Sequence, residues 1–190
     1  MSLLLELLRW ASAIILITLC IACIAIVSKR PIGKNTSVSL HISSNSPQFL
    51  SMAIFLTIAG AVFYTFIWVW LIPKYSLPPL LYPVLVVAYL GQLLLSWYPA
   101  SMSNSKSHKL HTTGGVVVAV GMLLVLLTLC LDVTKLPFLV WVYVTIGTIS
   151  TGILLVLYAI QRKVRDYFLI FELLFIAFFC SVILLLIIIP

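Results

Sequence analysis

Two histidines three residues apart, His108 and His111, with Lys109 between them, are the groups in this chain best placed to do chemistry. They lie in the polar run Tyr98-Pro-Ala-Ser-Met-Ser-Asn-Ser-Lys-Ser-His-Lys-Leu-His-Thr-Thr-Gly-Gly115, whose glycine pair opens an apolar segment. On a helix, i,i+3 spacing puts both imidazoles on one face, where they could share a metal ion. A catalytic zinc usually takes three protein ligands, so Glu172 or His41 would have to complete the set. Glu172 is the one carboxylate placed clearly inside an apolar stretch. It follows Asp166 by six residues, roughly 9 Å along a helix. An acid at the centre of a membrane helix costs about 2.5–3.5 kcal/mol to insert. The cost is smaller at this depth, but it still favours turning the side chain toward a partner in the protein.

The elements that position these groups follow from composition. Of 190 residues, 64% are hydrophobic and 8% are charged, and the mean hydropathy is +1.28. A soluble domain carries roughly 25% charged residues, so this chain has too little polar surface to face water. A membrane span needs about 20 apolar residues to cross about 30 Å of hydrocarbon. Windows at roughly 10–28, 49–72, 79–97, 112–131, 137–160 and 167–189 meet that requirement. The expected fold is all-α: a single transmembrane domain over 1–190, built as a six-transmembrane-helix bundle. The first window is longer than the about 7–15 apolar residues of a signal peptide and no convincing Ala-x-Ala cleavage site follows it, so it reads as a retained span.

The net charge of +7 does not point to nucleic acid, because the charges sit in short loops at helix ends. Lys29, Arg30, Lys34, Lys106, Lys109, Arg162, Lys163 and Arg165 fall in the odd-numbered loops, against Arg9, Lys74 and Lys135 on the other side. That bias predicts a cytoplasmic (plasma) membrane protein with odd-numbered loops in the cytoplasm and both termini outside. The polar segment 29–48 reads as loop, and its Asn35-Thr-Ser37 matches a glycosylation sequon.

Alternation of the spans decides which side chains can meet. The start of the sixth span, the start of the fourth, the end of the third and the 1–2 loop share one membrane side. Glu172, His108, Lys109, His111, Thr112, Ser96, Gln92 and His41 are therefore the candidates for one polar cluster. Three roles fit it. Glu172 could accept hydrogen bonds from His111 or Lys109 and lock the fourth and sixth helices together. The cluster could bind a lipid headgroup or small polar solute, with His108 and Lys109 meeting phosphate. Or His108, His111 and Glu172 could serve a hydrolytic or lipid-modifying reaction, with or without metal. The opposite end offers almost nothing: Glu6 and Arg9 read as a surface pair. Gln92 is expected to hydrogen-bond to a neighbouring helix. Trp68 and Trp70 should sit at the interface, and Gly115 with Ala119 should form a packing face that Gly121 extends. Cys20-Ile-Ala-Cys23 lies mid-span and reads as helix packing rather than redox chemistry, with Cys130 and Cys180 isolated.

His111-Thr-Thr-Gly-Gly115 and the run from Arg165 to Glu172 resemble a six-span family of unknown function similar to the damage-regulated autophagy modulator and GPI-lipid-remodelling group. Such proteins pair an acid with a base in the sixth helix, whereas here Glu172 is followed by Leu173. The resemblance implies a six-helix bundle and lipid-related work. The expectation is a binding or accessory membrane component without a cofactor, whose partners are membrane lipids or another membrane protein. A His/His/Glu enzyme is the alternative.

Overall fold

Backbone N–H and C=O groups in hydrocarbon can be satisfied only within helices or closed barrels, and the apolar stretches of this chain become helices. The computed structural model describes residues 3–28, 38, 47–98, 105–160 and 168–189. Its helices are α1 (Leu3–Ser28), α2 (Pro47–Phe66), α3 (Leu81–Trp97), α4 (Ser105–Cys130), α5 (Phe138–Ile160) and α6 (Phe168–Ile188). The described residues contain no strand. α2 runs on through a π-helical turn, Ile67–Leu71, and a last α-turn, Ile72–Lys74. Five helices are long and apolar enough to cross a membrane, and α3 is a shorter apolar helix. The protein is thus an integral membrane protein with an all-α, polytopic fold.

Two boundaries depart from expectation for local reasons. α3 starts at Leu81 rather than 79 because Pro78 and Pro79 shape a turn, with Leu81 N–H donating to Pro78 O and Tyr82 N–H to Pro79 O, each at 3.0 Å. α4 starts at Ser105 rather than 112, so the polar run carrying both histidines is helical.

Each helix packs mainly on its neighbours in sequence, and α6 returns to α1 to close a ring. The α3–α4 joint is the tightest. A Cβ on Gly114 would lie 2.5 Å from Gly91 O and 2.7 Å from Leu95 N, and one on Gly121 would lie 2.7 Å from the Ala88 Cβ. The close-approach face is therefore Gly114 and Gly121, displaced by one residue from the expected Gly115. Small residues matter here because lipid supplies no hydrophobic drive between helices, which leaves close packing to hold them.

α1 and α6 run antiparallel. Arg9 reaches Ile187, Cys20 contacts Cys180, and Cys23 and Val27 pack with Leu173 and Ile176. Cys180 is thus not isolated as expected. The large side chains that are fully buried concentrate in the half of the bundle holding the chain termini: Phe66, Ile67, Leu71, Leu126, Leu129 and Ile183 are among them. Trp70 joins this core at 4% exposure instead of sitting in the interface, while Trp68 stays exposed.

The joint gives a paired prediction. Gly114→Ala forces backbone against backbone and should destabilise the bundle by about 1–3 kcal/mol. Gly152→Ala, with nothing within 4 Å of the new carbon, should be neutral or stabilising by up to about 1 kcal/mol. Thermal unfolding in detergent reads both.

Candidate functional site

The head of α4 holds half of the groups singled out above: His108, Lys109, His111 and Thr112. Thr112 Oγ1 donates to His108 O at 2.9 Å, which satisfies that hydroxyl within its own helix. His111 Nδ1 lies 2.7 Å from Tyr98 O. A carbonyl only accepts, so Nδ1 carries the hydrogen and Nε2 is the nitrogen left free in the neutral ring. Tyr98 caps the C-terminus of α3, where carbonyls lack helical partners. His111 therefore stitches α4 to the end of α3. His108 and Lys109, together with Lys106, stay exposed. The two imidazoles do not act as a pair: one is committed to a carbonyl and the other faces outward.

Gln92 and Ser96 meet each other within α3. Ser96 Oγ donates to Gln92 O at 2.7 Å, and Gln92 Nε2 lies 3.3 Å from Ser96 Oγ. The described bonds of Gln92 thus stay in its own helix, contrary to expectation. The α2–α3 crossing is bridged instead by Tyr89 Oη donating to Thr57 O at 3.3 Å and Trp97 Nε1 to Thr57 Oγ1 at 2.9 Å. The sequence signal for this bridge was the aromatic N–H and O–H groups, which seek acceptors when removed from water.

Glu172 does turn into the protein, but toward α1. Its Oε2 accepts the backbone N–H of Val38 at 2.8 Å. Val38 is buried in a small apolar cluster with Cys23 and Val27, packed against Leu19, Leu173 and Ile176. The main neighbours of α6 are α1 and α5 rather than α4. Among the described contacts, Glu172 meets neither His111 nor Lys109, and the acid and the imidazole serve separate joints. No group of three His, Cys, Asp or Glu side chains with metal-binding geometry forms among the described residues. His41, the Asn35 sequon and the basic loop from Arg162 to Arg165 lie outside the described residues.

The end expected to offer almost nothing carries a dense polar assembly. Arg9 Nε donates to Ile187 O at 2.8 Å, and its Nη2 donates to the same carbonyl. Lys74 Nζ donates to Ile189 O at 2.8 Å and Tyr75 Oη to Leu186 O at 3.4 Å. The last turn of α6 leaves carbonyls without helical partners and carries a partial negative charge, so cations are favourable there. Trp70 lies beneath both cations, its ring centroid 5.4 Å from the Arg9 guanidinium and 4.7 Å from the Lys74 ammonium. Burial pushes the Tyr75 hydroxyl up to about 12 against the opposing pull of Arg9, so it remains a neutral donor. The expected Glu6–Arg9 pair exists at 3.4 Å, but the guanidinium's closer bonds go to α6. Long sequence separation hid this assembly, since Arg9 and Ile187 lie 178 residues apart.

No protein-family model, curated protein or solved structure matches this chain.

Both joints are testable. Glu172→Leu strands the Val38 N–H, which should cost about 1–3 kcal/mol and speed its hydrogen exchange. Glu172→Gln keeps an acceptor and should cost less. Arg9→Gln should lower the unfolding free energy by about 1–3 kcal/mol, because its bonds are charge-assisted. Glu6→Gln should stay within about 1 kcal/mol of the parent, because its described contact with Arg9 is long, at 3.4 Å.

Proposed function

We propose that this membrane protein is a binding or accessory component whose basic face, at the head of α4, engages anionic lipid headgroups. One observation carries the proposal. Lys106, His108 and Lys109 are exposed along the first turns of α4, and that helix has no acidic residue in its first turn. A helix N-terminus carries about half a positive charge, so cations there repel the dipole and an anion relieves the conflict. Lys109 and His108 would meet the phosphate, while His111 holds the helix against α3. Glu172 acts in the same half by fixing the segment at Val38. The positive bias of the loops supports a cytoplasmic position for this face, where anionic lipid is plentiful. The likeness to lipid-remodelling proteins supports the same assignment.

A Lys106→Gln, Lys109→Gln double variant should lose about tenfold or more in retention of phosphatidylserine over phosphatidylcholine, at about 1 kcal/mol per lysine. The difference should shrink as salt rises. Native mass spectrometry of the protein released from mixed-lipid nanodiscs measures it, and equal retention by parent and variant would sink the proposal.

A further inference from the structure

We infer that the opposite end of the bundle holds a second anion site, in which Lys74 and Arg9, seated over Trp70, bind a phosphate group. The two cations converge on one indole ring at 4.7 and 5.4 Å. Lys135 stands nearby, its Nζ 3.2 Å from Ser76 O in the turn that follows Lys74. Two acids, Glu6 and Asp132, stand against these three cations, and Lys135 lies within the field of Asp132. Glu6 reaches Arg9 alone. Asp132, three residues before Lys135 in the chain, spends one carboxylate oxygen on Thr134, 3.0 Å from its N and 2.6 Å from its Oγ1. The end of α6 offers about half a negative charge, less than either cation brings. A surplus of positive charge therefore persists where Lys74 is exposed.

Donor count and placement agree with this. An ammonium has three N–H bonds, and the described contact of Lys74 with Ile189 O uses one. The guanidinium also lies 5.5 Å from the exposed Trp10 ring. Aromatic rings flanking basic groups at a helix end mark headgroup depth. The backbone is unusual at the same place: the π-helical turn carries Trp70, and Ser76, at φ 46°, is the non-glycine residue with positive φ among the described residues. Such conformations gather at functional positions. The ligand class is a phosphate mono- or diester, supplied either by a lipid headgroup or as free phosphate.

The test uses the full chain in phosphatidylcholine nanodiscs with and without phosphatidylglycerol, reading retained lipid by native mass spectrometry. Lys74→Gln should lower retained phosphatidylglycerol about fivefold and leave phosphatidylcholine unchanged, while Lys74→Arg should hold the parent level. Inorganic phosphate added in detergent separates the sources. Displacement of the retained lipid identifies phosphate itself as the recognised group, and resistance with the Lys74 dependence intact identifies the membrane headgroup. Unchanged phosphatidylglycerol retention in Lys74→Gln overturns the inference. So does an equal loss of both lipids with the same drop in melting temperature whether or not phosphatidylglycerol is present, because Lys74 would then only cap α6. Lys109→Gln, at the other end, is the control that separates failure here from failure at α4.

Discussion

The contact between Arg9 and the last carbonyls of α6 is the one on which closure of the bundle depends. Five of the joints in this ring join helices consecutive in sequence, and a connecting segment helps to hold them together. The joint between α1 and α6 has no such segment. In lipid it cannot rely on hydrophobic drive either. It is held near one end by the guanidinium on Ile187 O; toward the other, Cys23 and Val27 pack with Leu173 and Ile176, and Glu172 binds the Val38 N–H of the segment after α1. Cys20 against Cys180 fills the seam between them. An antiparallel pair tied there cannot slide without breaking the charge-assisted bonds of Arg9.

Packing quality is uneven along the membrane normal, and the unevenness separates two jobs. The fully buried Phe66, Leu71, Leu126, Val144 and Ile183 all lie toward the chain termini. That half holds the helices in place. The other half carries the polar head of α4, the α3 cap at Tyr98 and the carboxylate of Glu172. Behind the close α3–α4 contact at Gly114, its polar groups are held by hydrogen bonds that run largely to the backbone. Its exposed basic residues are thus available to an outside partner, while the bonds behind them fix where they stand.

Hydropathy made the helices legible, because it reports depth in the membrane. Alternation of spans added which end each polar residue occupies, and Glu172 does face inward at the end expected of it. What neither conveys is azimuth. Glu172 and His111 share an end of the bundle, yet α6 packs on α1 and α5, so the acid finds a backbone amide there instead of an imidazole. The same gap hid Trp70. Its position near the end of α2 suggested an interfacial ring, but the π-turn places it in the core beneath Arg9 and Lys74. Gln92 misled for another reason: Ser96, one turn on, satisfies its amide locally and removes any need for a neighbouring helix.

The two basic ends differ in how their charge meets a helix dipole. At α6 the cations face a C-terminus, where carbonyls attract them, so a large part of their energy is already spent on structure. At α4 the cations sit at an N-terminus, where the dipole opposes them and no first-turn acid offers relief. Natural sequences tend to agree with themselves across levels, and a local rule broken without internal compensation points to a functional site. By that measure α4 shows the stronger conflict, which the proposed headgroup site would relieve. At the α6 end only the surplus beyond the cap is free to bind, so a ligand there should be held more weakly and depend chiefly on Lys74, the exposed member of the pair.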